Sequence, residues 1–180
     1  MLYLVAYLIG GEAGKWHRRR TGEIAEKFEV PDLAKRIPPH LTMFPPTELS
    51  DPDNMKRVIS QWREKAGACS QQEVVLNDLG CWGRRVVYVD VSVGKLVRQK
   101  VAELRVLLDE ELGTNVHCQA WKPHASLARR TRPEKIDEVW KYVSGWEKLW
   151  FSLPFDHIAV LRHQEGRWEK DEVFVIDGKG

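Results

Sequence analysis

The sequence predicts a mixed α+β chain built by tandem duplication: strand, helix, short histidine-bearing extended segment, helix, strand, then the same order again. Three observations lead there. Apolar, β-branched runs alternate with amphipathic stretches along the whole chain. Pro39-His40-Leu41-Thr42-Met43 and Pro123-His124-Ala125-Ser126-Leu127 share Pro-His, then any residue, a hydroxyl residue and an apolar one. Their offset, 124 − 40 = 84, carries the first apolar run, residues 2–9, onto another at 86–93.

Leu2 to Ile9 is apolar, β-branched and aromatic, and stops at Gly10-Gly11, so it reads as a strand. Glu12 to Phe28 has helical composition, with Ile24, Ala25 and Phe28 set among Lys, Arg and Glu. His40 to Phe44 lies between Pro38-Pro39 and Pro45-Pro46, which confine it to a brief extended stretch. Asp51-Pro52 supplies an N-cap and an N1 proline for a helix bearing Met55, Val58, Ile59 and Trp62. Glu73 to Trp82 and Arg84 to Val93 read as two strands joined at Gly83. Leu96, Val97, Val101, Leu104 and Leu108 then mark an amphipathic helix that closes at Gly113. An extended stretch, Lys122 to Ala128, precedes a helix opened by Pro133 and carrying Ile136, Val139, Trp140 and Val143. Phe155 to Leu161 and Glu172 to Ile176 close the chain as strands around a turn at Glu165-Gly166.

Composition narrows the function classes. With 43% hydrophobic and 30% charged residues in 180, the chain can bury a core and is neither disordered nor fibrous. The formal charge, +2 from 28 basic and 26 acidic residues, gives no bulk attraction to nucleic acid, so any such binding needs local patches. Three cysteines without a CxxC pair argue against a disulfide scaffold and for a reducing compartment. The longest apolar run, MLYLVAYLI, falls far short of the ~18 to 20 residues that span a bilayer and lacks the basic flank of an export signal. A buried strand, no membrane and a cytoplasmic location are the expectations.

In a strand, residues i and i+2 share a face, so His40 projects with Thr42, and His124 with Ser126. If the halves pack about a pseudo-twofold axis, two imidazoles and two hydroxyls meet across one cleft. An imidazole titrates near pH ~6.5, so one ring can be neutral while the other is protonated. Displacement at phosphorus with one general base and one general acid needs that division. The hydroxyls can donate to non-bridging phosphate oxygens, where charge builds in the transition state.

These segments, His40-Leu41-Thr42-Met43-Phe44 and Lys122-Pro123-His124-Ala125-Ser126-Leu127-Ala128-Arg129, resemble the two signatures of the two-histidine phosphoesterases. The likeness is strongest to the LigT-like branch of RNA 2′,3′-cyclic phosphodiesterases and 2′–5′ RNA ligases, over nearly the whole chain. The resemblance implies a bilobal α+β fold over residues 1–180, two antiparallel sheets lining a central groove with helices outside. Its lobes fall at about 1–82 and 84–180, with closing strands open to exchange between them. It implies metal-independent opening of a cyclic phosphodiester to a 2′-phosphate, with His124 activating water and His40 protonating the leaving 3′ oxygen. Neither cofactor nor metal is expected. Partners are RNA ends or small nucleotides with a cyclic phosphate, bound by a monomer. Ser126 replaces the commoner Thr of the second motif and keeps the hydroxyl. Where relatives often carry Arg upstream of His124, this chain has Gln119 and Ala120, which makes Lys122 the candidate for phosphate neutralisation.

Phe44 shares the parity of His40 and Thr42, and Tyr3 and Tyr7 share one face of the first strand; each is a candidate nucleobase contact or a core residue. Arg129 and Arg130 follow the second motif and could touch a phosphate backbone. His17, His117, His157 and His163 lack such pairing and receive no role. Gly10-Gly11-Glu12-Ala13-Gly14 fits no phosphate-loop pattern, so nucleoside-triphosphate chemistry is not indicated. Within the same class, the groove could instead cleave 2′–5′ or cyclic oligonucleotides or join RNA ends. From another class, it could hold nucleotides without turning them over.

Overall fold

The computed structural model describes residues 1–177, so the last three residues of the second expected lobe lie outside it. Eight strands and four helices follow in order: β1 (Leu2–Leu8), α1 (Gly11–Phe28), β2 (His40–Glu48), α2 (Asp53–Glu64), β3 (Glu73–Trp82), β4 (Val86–Val93), α3 (Lys95–Leu112), β5 (His124–Arg129), α4 (Pro133–Val143), β6 (Phe151–Pro154), β7 (His157–Gln164) and β8 (Arg167–Val175). They form two antiparallel four-stranded sheets, ordered β2-β1-β7-β8 and β5-β4-β3-β6. This is the expected α+β architecture.

The offset of 84 holds at the level of structure. It carries α1, residues 11–28, onto α3, residues 95–112, and the start of β3, residue 73, onto that of β7, residue 157. It also relates the sheets strand by strand: β2, β1 and β7 in one stand where β5, β4 and β3 stand in the other. The closing strands are therefore traded. β3, from the first half, pairs with β4, and β7, from the second half, pairs with β1. Only the outermost strands, β8 and β6, break the correspondence.

Local chemistry accounts for the boundaries. Asp51 accepts a hydrogen bond on Oδ1 from Asp53 N at 2.9 Å just ahead of α2, whose N-cap is Pro52, one residue later than the sequence suggests. Pro133 stands at the first helical position of α4. Gly113, at φ 64°, ends α3 in the left-handed region, where a side chain would be strained. β2 runs on through Pro45-Pro46 to Glu48, past the brief stretch the flanking prolines suggest. It is an edge strand, so prolines there cost no inner ladder bond. β6 escapes detection in sequence because it has only four residues, of which alternate ones are exposed. β8 is longer than expected because its first half is charged; it too is an edge strand with exposed positions.

One apolar cluster runs through both halves. It takes Val5, Leu41, Ile24, Met55, Ile59 and Trp62 from the first half and Val87, Val101, Leu104, Ala125 and Ile136 from the second. Trp62 Nε1 donates to Lys100 O at 2.8 Å, tying α2 to α3. A second, smaller cluster of Leu4, Ala6, Ala159 and Leu161 covers the opposite face of the first sheet. No helix among the described residues is long and apolar enough to cross a membrane.

Candidate active site

The two histidine strands are corresponding edges of the two sheets, and they lie against each other. Trp121 Nε1 donates to Thr42 O at 2.9 Å across that seam. The segment before β5 is itself pinned from α3. The buried Asp109 carboxylate accepts from Thr114 Oγ1, from Val116 N at 2.9 Å and from His117 N at 2.5 Å. Arg105 donates to Val116 O at 2.7 Å and Gln119 O at 2.8 Å. These donors hold Asp109 down at about 2, against the desolvation that works the other way.

Each catalytic candidate is held by the same device. His40 Nδ1 lies 2.8 Å from Pro38 O, and His124 Nδ1 lies 2.8 Å from Lys122 O. A carbonyl can only accept, so Nδ1 carries the proton in both rings and Nε2 is left for chemistry. His40 and Thr42 face Leu8 and Ala6 across the ladder; His124 and Ser126 face Asp90 and Tyr88. Among the described residues, no protein hydrogen bond engages Thr42 Oγ1 or Ser126 Oγ.

His40, Thr42, Ser126, Arg129 and Arg130 line one cavity of about 250 Å³. His124 and Lys122 line an adjoining recess, and Thr42 is common to both. Desolvation pushes His40 down to about 4, and the positive charges of Arg129 and His124 add to it. His124 is lowered too, chiefly by burial and then by Arg129, while Asp90 works in the other direction. Both rings thus prefer to be neutral. Arg129 is lowered by burial and by its neighbour Arg130. Among the described residues it has no carboxylate partner, so it faces the cavity as an unpaired cation.

A β-bulge decides which neighbours join. Ala6 pairs with Thr42 but Val5 with Phe44, so Met43 is the extra residue; Tyr88 pairs with Ser126 but Val87 with Ala128, so Leu127 is extra. Beyond each bulge the faces exchange. Phe44, fully buried, therefore packs in the core and not beside His40. Arg129 turns into the cavity by the same shift. Tyr3 and Tyr7 also belong to the core; Tyr7 donates to Pro154 O at 3.0 Å, and burial together with Asp156 keeps its phenol neutral. The groove face of β1 is Leu4 and Ala6 instead. Lys122 is exposed at the rim of the recess, where its backbone carbonyl holds His124, and Arg36, Arg129 and Arg130 line the cavity.

The sequence reading missed an aromatic wall. The His124 ring packs edge-on against Trp82, centroids 4.4 Å apart, and against Tyr88 at 5.5 Å. Gly80 permits it: a Cβ there would stand 2.3 Å from Tyr88 Cζ. The Gly80–Tyr88 pairing across β3 and β4 was the available signal. No three His, Cys, Asp or Glu side chains among the described residues cluster so as to hold a metal ion.

The model of the 2′-5′ RNA ligase superfamily matches residues 12–167. The chain belongs to that superfamily. It is the group of two-histidine phosphoesterases and ligases that the paired motifs resemble, so this chain is of a phosphodiester-processing kind. The fold is that of TT0787 from Thermus thermophilus, at 15% identity and TM-score 0.60 over 100% of both chains. E. coli LigT matches at 15% identity and TM-score 0.56, over 97% of this chain and 96% of LigT. Usb1 of Kluyveromyces marxianus matches at 10% identity and TM-score 0.50, over 98% and 97%. No curated protein matches the sequence.

Proposed function

We propose that this protein hydrolyses 2′,3′-cyclic phosphates on RNA ends or small nucleotides, without a metal, by dividing proton transfer between His40 and His124. The observation that carries the reading is the pair of rings, each with Nδ1 tied to the carbonyl two residues before it and Nε2 free. Thr42, Ser126 and the unpaired Arg129 beside them suit a phosphate anion. In the direction the family likeness implies, His124 Nε2 takes a proton from water and the hydroxide attacks phosphorus. The P–O3′ bond breaks as His40 Nε2–H gives its proton to O3′, leaving a 2′-phosphate and a 3′-hydroxyl. His124 lines the recess beside Lys122, which suits it to meet a water. The anion raises both imidazoles from their depressed values, which lets His40 carry the proton it must give.

E. coli LigT has been seen complexed with 3′-AMP and with NADP+, which supports a nucleotide as occupant of this groove. The test is incubation with adenosine 2′,3′-cyclic phosphate in EDTA, with 2′-AMP separated from 3′-AMP. Accumulation of 2′-AMP is expected. Activity that vanishes in EDTA and returns with a divalent metal overturns the mechanism; nucleotide binding with no product supports a binding module instead.

A further inference from the structure

Helix α1 presents one histidine to the same cavity. His17 lines it together with His40, Thr42, Ser126 and Arg129, and is 5% exposed. Neither of its ring nitrogens makes a hydrogen bond of good geometry within the protein. The Ser126 backbone approaches the ring and works against its burial, but no hydrogen bond of good geometry is completed. A buried polar group in that state is uncommon and costs stability, so its presence calls for a compensating role.

The duplication supplies the control. The offset carries residue 17 onto residue 101, and Val101 occupies that point of α3 fully buried. The site on the helix therefore accepts an ordinary apolar side chain, and packing alone does not require an imidazole. Burial, with His40 as the next contribution, drives His17 down to about 4, so the ring is neutral at physiological pH. A neutral imidazole offers one N–H donor and one lone pair. Its polar surroundings are His40 and Ser126, at the phosphate end of the cavity, whereas Leu33, Ile37 and Trp168 line another part of the wall.

We propose that His17 is a third imidazole in contact with substrate, donating its ring N–H to a non-bridging oxygen of the phosphate held between Thr42 and Ser126. This rests on the groove being a phosphodiester site. It adds a specificity function, because two nearly equivalent histidine–hydroxyl pairs would accept the phosphate in two orientations. A donor on the α1 side alone selects one of them.

The test compares wild type, His17→Leu and His17→Gln in three measurements: titration with inorganic phosphate and 2′-AMP, turnover of adenosine 2′,3′-cyclic phosphate, and thermal melting. The Leu variant is expected to melt at or above wild type while losing about 10- to 100-fold in affinity and in kcat/KM. Gln, which keeps a donor, is expected to recover most of that loss. Wild-type binding and rate in the Leu variant overturn the proposal. So does a Leu variant that melts well below wild type while Gln restores melting without restoring binding, because the ring is then a packing element. If wild type turns over substrate and the Leu variant equals it, His17 falls and the hydrolase reading stands. If phosphate binding depends on His17 but no cyclic phosphate is opened, the hydrolase reading falls and His17 stands. Absence of phosphate and nucleotide binding by wild type overturns both.

Discussion

The two halves share a backbone device and differ in everything that surrounds it. Pro38 O and Lys122 O play one part, 84 residues apart, and so do the bulges at Met43 and Leu127. Across the ladder the first histidine and its hydroxyl partner face Leu8 and Ala6, where the second pair face Asp90 and Tyr88, and Phe44 stands where the other copy has Ala128. His17 stands against Val101, and Pro45 against Arg129. Geometry was kept in both copies, and polarity was redistributed. A pair of identical imidazoles cannot divide into acid and base on its own, so the differing walls must break the tie.

The largest effect should come from breaking the shared device. His40→Ala and His124→Ala are each expected to cost on the order of 10² to 10⁴ in kcat, and the double variant little more than the worse single one. Independent multiplication of the two losses in single-turnover kinetics would mean that the rings do not act on one phosphate. Thr42→Val and Ser126→Ala should each lose up to about 10² to 10³, as donors to the developing charge.

The unequal walls are probed by Gly80→Ala. The new Cβ would overlap the Tyr88 ring, so the aromatic contact with His124 must give way. A loss of about 1 to 3 kcal/mol in stability by denaturant melts is expected, with a smaller fall in rate than either hydroxyl variant. No counterpart substitution in the first half should do this, since the groove face there is Leu4 and Ala6.

The comparison is sharpened most in pH, where the expected change in rate is a shift of the optimum and not a loss. Burial holds both candidate rings, His40 and His124, below the ordinary histidine range in the free groove. The bell in kcat/KM should therefore peak on the acid side of about 6.5, and that in kcat at a higher pH, because bound phosphate raises both rings. His17 adds a stability slope. Its folded value, about 4, lies below the unfolded one, so the unfolded chain takes up the proton first as pH falls. The burial of His17 carries no pH-linked cost above pH ~6.5 and a penalty that grows between there and about 4, to on the order of 3 kcal/mol. Urea melts of His17→Leu across that window should show a flatter slope than wild type.

Much of this was legible in the sequence, for physical reasons. Prolines and glycines bounded the strands, and the 84-residue offset paired the histidines before any fold was known. Strand parity placed Thr42 and Ser126 beside them because nothing interrupts two-residue alternation over so short a distance. One residue later the inserted Met43 and Leu127 reverse it, and no side-chain chemistry in the two motifs announces a bulge. For that single cause the sequence leaves Phe44 open between core and groove and does not place Arg129 in the cavity. Tyr3 and Tyr7 stay open in the sequence for another reason: β1 is apolar on both faces, so only its pairing with β2 reveals which face meets the groove. His17 could have been flagged by laying α1 over α3 and finding an imidazole where the other copy has valine.

The exchange of β3 and β7 makes the halves inseparable. A fragment ending at Gly83 would hold β1 and β2 with no β7 to cover the open side of β1, and a β3 with no β4 to receive it. Two such fragments could satisfy each other only by trading arms. Cutting the chain in the middle should yield not two small proteins but two unfinished edges, each waiting for its twin.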